Sequence, residues 1–423
     1  EKMDISDLIL YRNFEYEELL FGMCDMLEKG KRDHMAKYAG DLVEIAGRYG
    51  LEGNLWHAFL ALCLANNENS YSTACEIVGE VEGSINELAL HDFTIFKQLF
   101  DYDLTELGDK VFCELAKYKG TNRESKLINQ RIRKRLLELS ISLENTKSVI
   151  EFKDTVTEFY REFGVGKYGL NKAFSLKEGR DNEAIIEPIT RVEHIYLDDI
   201  VGYELQKQKL VENTEAFLNG IPANNVLLYG DAGTGKSSSV KAIVNTYYDR
   251  GLRIIEVYKH QFRMLANVLE QIKDRNYKYI IYMDDLSFED SELEYKYLKA
   301  ILEGGFGRRP DNVLIYATSN RRHLIRESFK DKQETDEDLH SRDTVQEKIS
   351  LSARFGVSIY YGSPDKREFN RIVKEIAEKE NIHMPEDKLF LEANKWELSH
   401  GGLSGRTARQ FVTYLLGRGG RDE

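Results

Sequence analysis

The sequence is poor in cysteine, lacks a long apolar run and has no excess of positive charge. Its four cysteines, Cys24, Cys63, Cys75 and Cys113, lie far apart without a CxxC pair, which argues against a disulfide framework and favours buried thiols. The longest apolar stretch, LWHAFLALCLA from Leu55, is too short to span a bilayer and predicts a buried helix. No signal-peptide pattern opens the printed sequence. These absences predict a cytoplasmic protein without a membrane segment.

The charge balance argues against a surface that coats nucleic acid. The formal net charge is -13 over 423 residues, so DNA is a disfavoured partner. The run RIRKR, residues 131–135, is the best candidate for a basic patch, and a solvated helix face is its more ordinary interpretation. The hydrophobic fraction of 42% is enough for packed cores, and the length predicts two or three domains.

Four regions can be distinguished along the chain. Residues 1–174 show helical periodicity and predict an all-helical N-terminal domain that binds a partner. Residues 175–191 are polar and predict a linker. Residues 192–362 alternate short β-type runs with helices, which is typical of a parallel α/β sheet, and residues 363–423 turn helical again. The β-type runs are NNVLLYG, RIIEVY, YIIYMDD, NVLIYATSN and VSIYYG.

One glycine-rich motif is a weak signal. GVGKYG, residues 164–169, matches the dinucleotide fingerprint GxGxxG, which requires a strand in front of it. The preceding DTVTEFYREF is helical in pattern. We therefore interpret these glycines as a turn.

A second glycine-rich motif is strong. GDAGTGKS fits GxxxxGK[ST] in full and lies between a predicted strand and a predicted helix. Its glycines allow backbone N–H groups to surround phosphates at the positive end of the helix. Lys236 would reach the β- and γ-phosphates of ATP, and the Ser237 hydroxyl would bind Mg²⁺. The predicted nucleotide-binding residues are Gly230, Asp231, Ala232, Gly233, Thr234, Gly235, Lys236, Ser237 and Ser238.

The run YIIYMDD is a buried strand that ends on two carboxylates. Asp284 is predicted to hold Mg²⁺ together with Ser237. Asp285 is predicted to orient or deprotonate a water that attacks the γ-phosphate. An alternative for Asp285 is to cap a following helix. Two carboxylates alone do not distinguish an ATPase from a phosphate-loop kinase.

Three later residues favour hydrolysis. Asn320 ends another predicted strand, where it could hold the attacking water. Arg354 in SLSARFG and Arg406 in GLSGRTARQ are predicted to stabilise charge on transferring phosphates, the alternative for each being a surface ion pair.

With these residues the chain resembles an AAA+ ATPase from about Val192 to Gly417. The resemblance is carried by LDDIVGYELQKQKL, GDAGTGKS, YIIYMDD, Asn320 as sensor 1, SLSARF as an arginine-finger box and Arg406 as sensor 2. More narrowly, NNVLLYGDAGTGKSS, EGGFGRRPDNVLIYATSNRRHL and EKISLSARFG resemble a bacterial family called domain of unknown function 815.

The resemblance implies a fold and a set of roles. The fold is an α/β P-loop AAA+ core, a parallel sheet flanked by helices, with a small helical lid. Adenine would lie against the backbone at Ile200, Val201 and Gly202. Arg354 would act in trans on the nucleotide of the neighbouring subunit in a homo-oligomer. Asp285 stands where many AAA+ machines have Glu, and its shorter side chain implies slow, switch-like hydrolysis.

Two functions stay open. The first is an ATPase that remodels or switches a protein partner held by the N-terminal domain. The second is a nucleotide-controlled, DNA-associated loader or initiator-like module, in which hydrolysis only resets binding.

EVYKHQFRM lacks the aromatic-glycine pore loop of unfoldases, and Ala353 replaces a polar residue expected in the finger box. The polar stretch 327–348 is expected to become ordered when a neighbour docks.

Overall fold

The structure is a computed structural model that describes residues 5–29, 34–120, 130–180, 183–190, 192–288, 292–303, 309–320 and 351–418. The chain forms two compact units. The N-terminal unit comprises Glu1–Asn171 and Pro188–Arg191, and the C-terminal unit comprises Lys172–Glu187 and Val192–Glu423. The polar stretch 327–348 lies outside the described residues.

The N-terminal unit is helical in its described part, as predicted. Its helices are α1 (Glu17–Lys29), α2 (Met35–Tyr49), α3 (Leu55–Asn66), α4 (Ser70–Val78), α5 (Ser84–Asp101), α6 (Lys110–Leu115), α7 (Gln130–Glu144), α8 (Val149–Phe163) and α9 (Gly166–Leu170). The α3 helix is the predicted buried helix, because every residue from Leu55 to Ala65 is buried in the core of this unit. Asn54 caps it by accepting hydrogen bonds from the N–H groups of Trp56 and His57.

Two further expectations about the N-terminal unit are met. The glycine motif at residues 164–169 follows α8 rather than a strand, and Gly164 ends that helix with a φ of 77°. The fingerprint therefore lacks its strand and forms a turn followed by α9. All four cysteines are free thiols, and Cys24, Cys63 and Cys75 are buried.

The C-terminal unit contains a seven-stranded sheet. Its strands are β1 (Ala173–Glu178), β2 (Ala184–Pro188), β3 (Val226–Gly230), β4 (Leu252–Glu256), β5 (Lys278–Met283), β6 (Val313–Ser319) and β7 (Val357–Tyr361). The strand order is β2-β1-β4-β5-β6-β3-β7. In this order, each neighbouring pair from β1–β4 to β3–β7 is parallel. All five predicted strands are present. The predicted fold class, a parallel sheet flanked by helices behind an all-helical N-terminal region, is confirmed.

The segment 175–191 differs from the linker that its composition predicts. It contains most of β1 and all of β2, which lie at one edge of the sheet. The strand β1 buries Ala173, Phe174 and Leu176, and β2 buries Ala184 and Ile186. The charged residues Lys177 and Glu178 are exposed at the end of β1, and β2 is the edge strand, so the polar composition of the segment is compatible with strand structure.

Seven α-helices surround or follow the sheet in the described residues of the C-terminal unit. They are α10 (Glu204–Leu218), α11 (Lys236–Tyr247), α12 (Leu265–Ile272), α13 (Glu294–Glu303), α14 (Lys366–Lys379), α15 (Glu386–Ser399) and α16 (Gly405–Gly417). The last three form the lid, whose small core contains Phe369, Ile372, Leu389 and Phe411 together with Val201. Across the described part of the chain, no helix combines the length and apolar content needed to cross a membrane.

Candidate functional site

The phosphate loop connects β3 to α11, as the motif predicts. Gly230 ends β3 with a φ of 133°, and a Cβ added there would lie 2.1 Å from the carbonyl oxygen of Tyr361 on the neighbouring strand. Only glycine fits this position. Gly235 precedes α11 in the left-handed conformation, with a φ of 93°. The chain thus turns sharply, and the N-terminus of α11 faces the loop.

Lys236 lies inside the loop and is buried. Its ammonium group donates to the carbonyl oxygens of Gly230 at 3.0 Å and of Asp231 at 2.6 Å. Burial lowers the pKa of Lys236, and the carboxylates of Asp231, Asp285 and Asp284 act in the opposite direction. The lysine is therefore held by loop carbonyls, which a phosphate group could replace.

Ser237 and Asp284 meet at the base of the loop. The Ser237 hydroxyl donates to Asp284 Oδ1 at 2.7 Å, and the Thr318 hydroxyl donates to the same oxygen at 2.6 Å. Partial burial acts to raise the pKa of Asp284, but the hydrogen bonds from Thr318 and Ser237 outweigh it and leave the pKa below its usual range. An ionised carboxylate beside a hydroxyl is a donor set that suits Mg²⁺, which prefers oxygen ligands. These residues therefore fit the predicted metal site.

Asp285 adopts an uncommon backbone conformation, with a φ of 51°. Its N–H donates to the Thr318 hydroxyl at 2.9 Å, and its Oδ1 accepts a hydrogen bond from the Asn320 amide at 2.8 Å. The structure thus brings Asp285 and Asn320 together. It does not show the alternative role for Asp285, because the next described helix, α13, begins at Glu294.

Thr318 is a site residue that the sequence analysis missed. It lies near the end of β6 and is almost completely buried. The next residue, Ser319, donates to the carbonyl oxygen of Leu286 at 2.7 Å, and the N–H of Leu286 donates to the carbonyl oxygen of Thr318 at 2.7 Å. The only hint in the sequence is the pair of hydroxyl residues at the end of the apolar run NVLIYATSN.

A cleft of about 890 Å³ opens over the loop. Of the residues proposed to contact ATP or Mg²⁺, it is lined by Ala232, Gly233, Thr234, Gly235, Lys236, Ser237, Ser238, Asp284, Asp285, Asn320, Arg406, Ile200 and Val201. Gly202, Gly230 and Asp231 do not line it. Thr318 and Arg409, which were not predicted, do.

The lid contacts the phosphate loop directly. The N–H of Arg406, at the start of α16, donates to the carbonyl oxygen of Gly233 at 3.1 Å. A Cβ added to Gly233 would lie 3.1 Å from the Arg406 Cβ, so the loop glycine allows the lid to approach closely. Arg406 consequently lies next to the loop and lines the cleft.

Arg354 lies apart from the cleft. Its guanidinium pairs with Glu303 at the end of α13, with 2.5 Å between Nη2 and Oε1. The side chain is one-third exposed. The neighbouring Ala353 is exposed as well. The structure therefore separates Arg354 from the other predicted catalytic residues of the same chain.

Parts of the chain are similar to proteins of known name. The proteasome-activating nucleotidase 1 of Haloferax volcanii is 26% identical over 189 residues, which is 38% of this chain and 46% of the nucleotidase. The replication factor C large subunit of Staphylothermus marinus is 39% identical over 71 residues, 16% of each chain. The chain thus spans about half or less of the length of these relatives.

Among solved structures, the RuvB Holliday junction branch migration motor of Thermotoga maritima aligns with a TM-score of 0.36 and 16% identity, over 53% of this chain and 65% of that chain. A family model also matches the chain. The matched region is residues 170–419, which contain the whole sheet and the three lid helices. Because this region is more than half of the 423 residues, the chain belongs to the family described as protein of unknown function (DUF815).

Proposed function

We propose that this chain binds ATP with Mg²⁺ and hydrolyses it slowly to ADP and phosphate, as an ATPase of the AAA+ type. One observation carries the proposal: the phosphate loop and two strand ends meet at one point. Ser237 lies 2.7 Å from Asp284, and Asn320 lies 2.8 Å from Asp285. Three groups that phosphate hydrolysis requires are thus adjacent: the loop that would bind the phosphates, the carboxylate that would bind Mg²⁺ and the carboxylate that would accept a proton from water.

The loop supplies the binding of the phosphates. Backbone N–H groups of residues 232–237 and the N-terminus of α11 favour negative charge. Lys236 would exchange its carbonyl partners for oxygens of the β- and γ-phosphates. Ser237 and Asp284 would hold Mg²⁺, which, when bound, neutralises charge on the phosphates. Ile200 and Val201 line the cleft and would contact the adenine.

Asp285 and Asn320 would position and activate the attacking water. Asn320 holds the water, and Asp285 accepts its proton while the water oxygen bonds to the γ-phosphorus. The bond from that phosphorus to the bridging oxygen breaks, and ADP leaves. Arg406 would approach the developing charge from the lid. Slow turnover is expected because the Asp285 side chain is one methylene shorter than the glutamate of many AAA+ machines.

The N-terminal unit is the proposed site of a protein partner. It has its own hydrophobic core, so it can present a surface independently of the ATPase chemistry. We propose that the nucleotide cycle remodels or switches a protein bound there, in a homo-oligomer whose sites Arg354 completes in trans.

The alternative, a DNA-associated loader, gains no support from the basic run RIRKR. Arg133 donates to the carbonyl oxygen of Gly50 and pairs with Glu52 at 2.7 Å, and Arg135 stacks over Phe163. Two of the arginines are thus engaged within the N-terminal unit. Stimulation of turnover by DNA, and not by protein, would favour the alternative.

Calorimetric titration of ATP, with Mg²⁺ and with a chelator, tests the proposal. Lys236→Ala should abolish binding in both conditions. The matched control is Lys273→Ala, because Lys273 is exposed on the same unit, pairs with Glu270 and does not line the cleft. Unchanged ATP affinity in Lys236→Ala, or no binding by the wild-type chain, would overturn the proposal.

A further inference from the structure

Thr318 links the carboxylate of Asp284 to the backbone of Asp285. Its hydroxyl has one hydrogen to donate and lone pairs to accept. It donates to Asp284 Oδ1 at 2.6 Å and accepts the N–H of Asp285 at 2.9 Å. One buried hydroxyl thus contacts two adjacent aspartates, as a donor to Asp284 and as an acceptor from Asp285.

The backbone around Asp285 explains why this contact matters. A non-glycine residue with φ near 51° is strained by about 1–3 kcal/mol and persists only where neighbours hold it. Two hydrogen bonds from this turn end on Thr318: the N–H of Asp285 reaches its hydroxyl, and the N–H of Leu286 reaches its carbonyl at 2.7 Å. In this conformation the Asp285 carboxylate meets the Asn320 amide.

We infer that Thr318 is a positioning residue that fixes both aspartates at once, Asp284 toward Ser237 and Asp285 toward Asn320. The inference rests on the proposed function. The carboxylate of Asp284 has a second hydroxyl donor, Ser237, whereas the side-chain partner that accepts the N–H of Asp285 is the Thr318 hydroxyl. Loss of the hydroxyl therefore removes one donor to the metal carboxylate and one of the two hydrogen bonds that hold the strained turn at Asp285.

Thr318→Val tests this inference, because valine keeps the shape and removes the hydroxyl. ATP affinity measured in chelator should stay unchanged, since the loop and Lys236 are untouched. The gain in affinity on adding Mg²⁺ should fall by about tenfold, as expected for losing a hydrogen bond to a charged group. Turnover should fall by about a hundredfold or more, because Asp285 loses its position as well. Thr318→Ser, which restores the hydroxyl, should recover most of both.

The control is Thr214→Val. Thr214 is also fully buried in the C-terminal unit, and its hydroxyl contacts Tyr316 at 2.7 Å outside the cleft. Urea unfolding shows whether each variant is folded, and Thr318→Ala serves if valine is not tolerated. A folded Thr318→Val or Thr318→Ala that keeps the Mg²⁺-dependent gain and turns over within twofold of the wild type overturns the inference. Absence of Mg²⁺-dependent ATP binding in the wild type would instead overturn the proposed function itself.

Discussion

Arg354 and Glu303 form an ion pair within one chain, with 2.5 Å between their nearest atoms. Arg354 lies outside the cleft that contains the phosphate loop. The Arg354 side chain is one-third exposed, and in the role proposed for it in trans its guanidinium would reach the site of another copy. The nucleotide of a neighbouring subunit would then compete with Glu303 for it.

Arg354→Ala should therefore reduce turnover and spare nucleotide affinity. An arginine finger typically contributes about 10³–10⁵ in rate. Specific activity of the wild type should rise with protein concentration as subunits assemble. The matched control is Arg263→Ala, because Arg263 forms an ion pair of the same length with Glu178 outside the cleft.

Mixing two inactive variants separates action in trans from a structural role of Arg354. Arg354→Ala retains an intact loop, and Lys236→Ala retains an intact finger. In a mixed oligomer, some interfaces pair the intact finger with the intact loop, so part of the activity should return. If the two variants are shown to assemble together and no activity returns, Arg354 does not act in trans.

Asp284→Asn should weaken only the Mg²⁺-dependent part of ATP binding. The substitution removes the negative charge beside Ser237 while keeping the size of the side chain, so binding in chelator should stay at the wild-type value. Calorimetric titrations with and without Mg²⁺ measure the two parts. Equal losses in both conditions would show that Asp284 supports the loop and does not hold the metal.

Gly230→Ala should destabilise the C-terminal unit by more than about 3 kcal/mol, because its φ is positive and its Cβ would lie 2.1 Å from the Tyr361 carbonyl oxygen. Gly220→Ala is the matched control: it has a φ of 74° but nothing within 4 Å of the added Cβ, so about 1–2 kcal/mol is expected. Urea unfolding measures both. Equal losses would mean that strand β7 moves to accommodate the methyl group.

The sequence was sufficient to predict the elements whose signal is local. The strands β3 to β7 are apolar runs between polar turns, and GDAGTGKS encodes its own loop geometry. β2 and most of β1 were predicted as a linker because residues 175–191 are polar, although the two strands together bury five apolar side chains. Their pairing depends on β4, which is distant in the sequence.

The role of Thr318 could not be predicted for a related reason. A threonine at the end of a buried strand has no distinctive local pattern. Its contacts with Asp284 and Asp285 arise because β5 and β6 are neighbours in parallel register. The ion pair of Arg354 with Glu303 likewise joins residues that are far apart along the chain.

The most direct test of the account is release of phosphate from ATP by the wild-type chain and by Asp285→Asn, each measured beside its ATP affinity. The wild type should release phosphate slowly and only with Mg²⁺. Asp285→Asn should bind ATP equally well without releasing phosphate, because the amide cannot accept the proton of the attacking water. Release by Asp285→Asn at the wild-type rate would contradict the account.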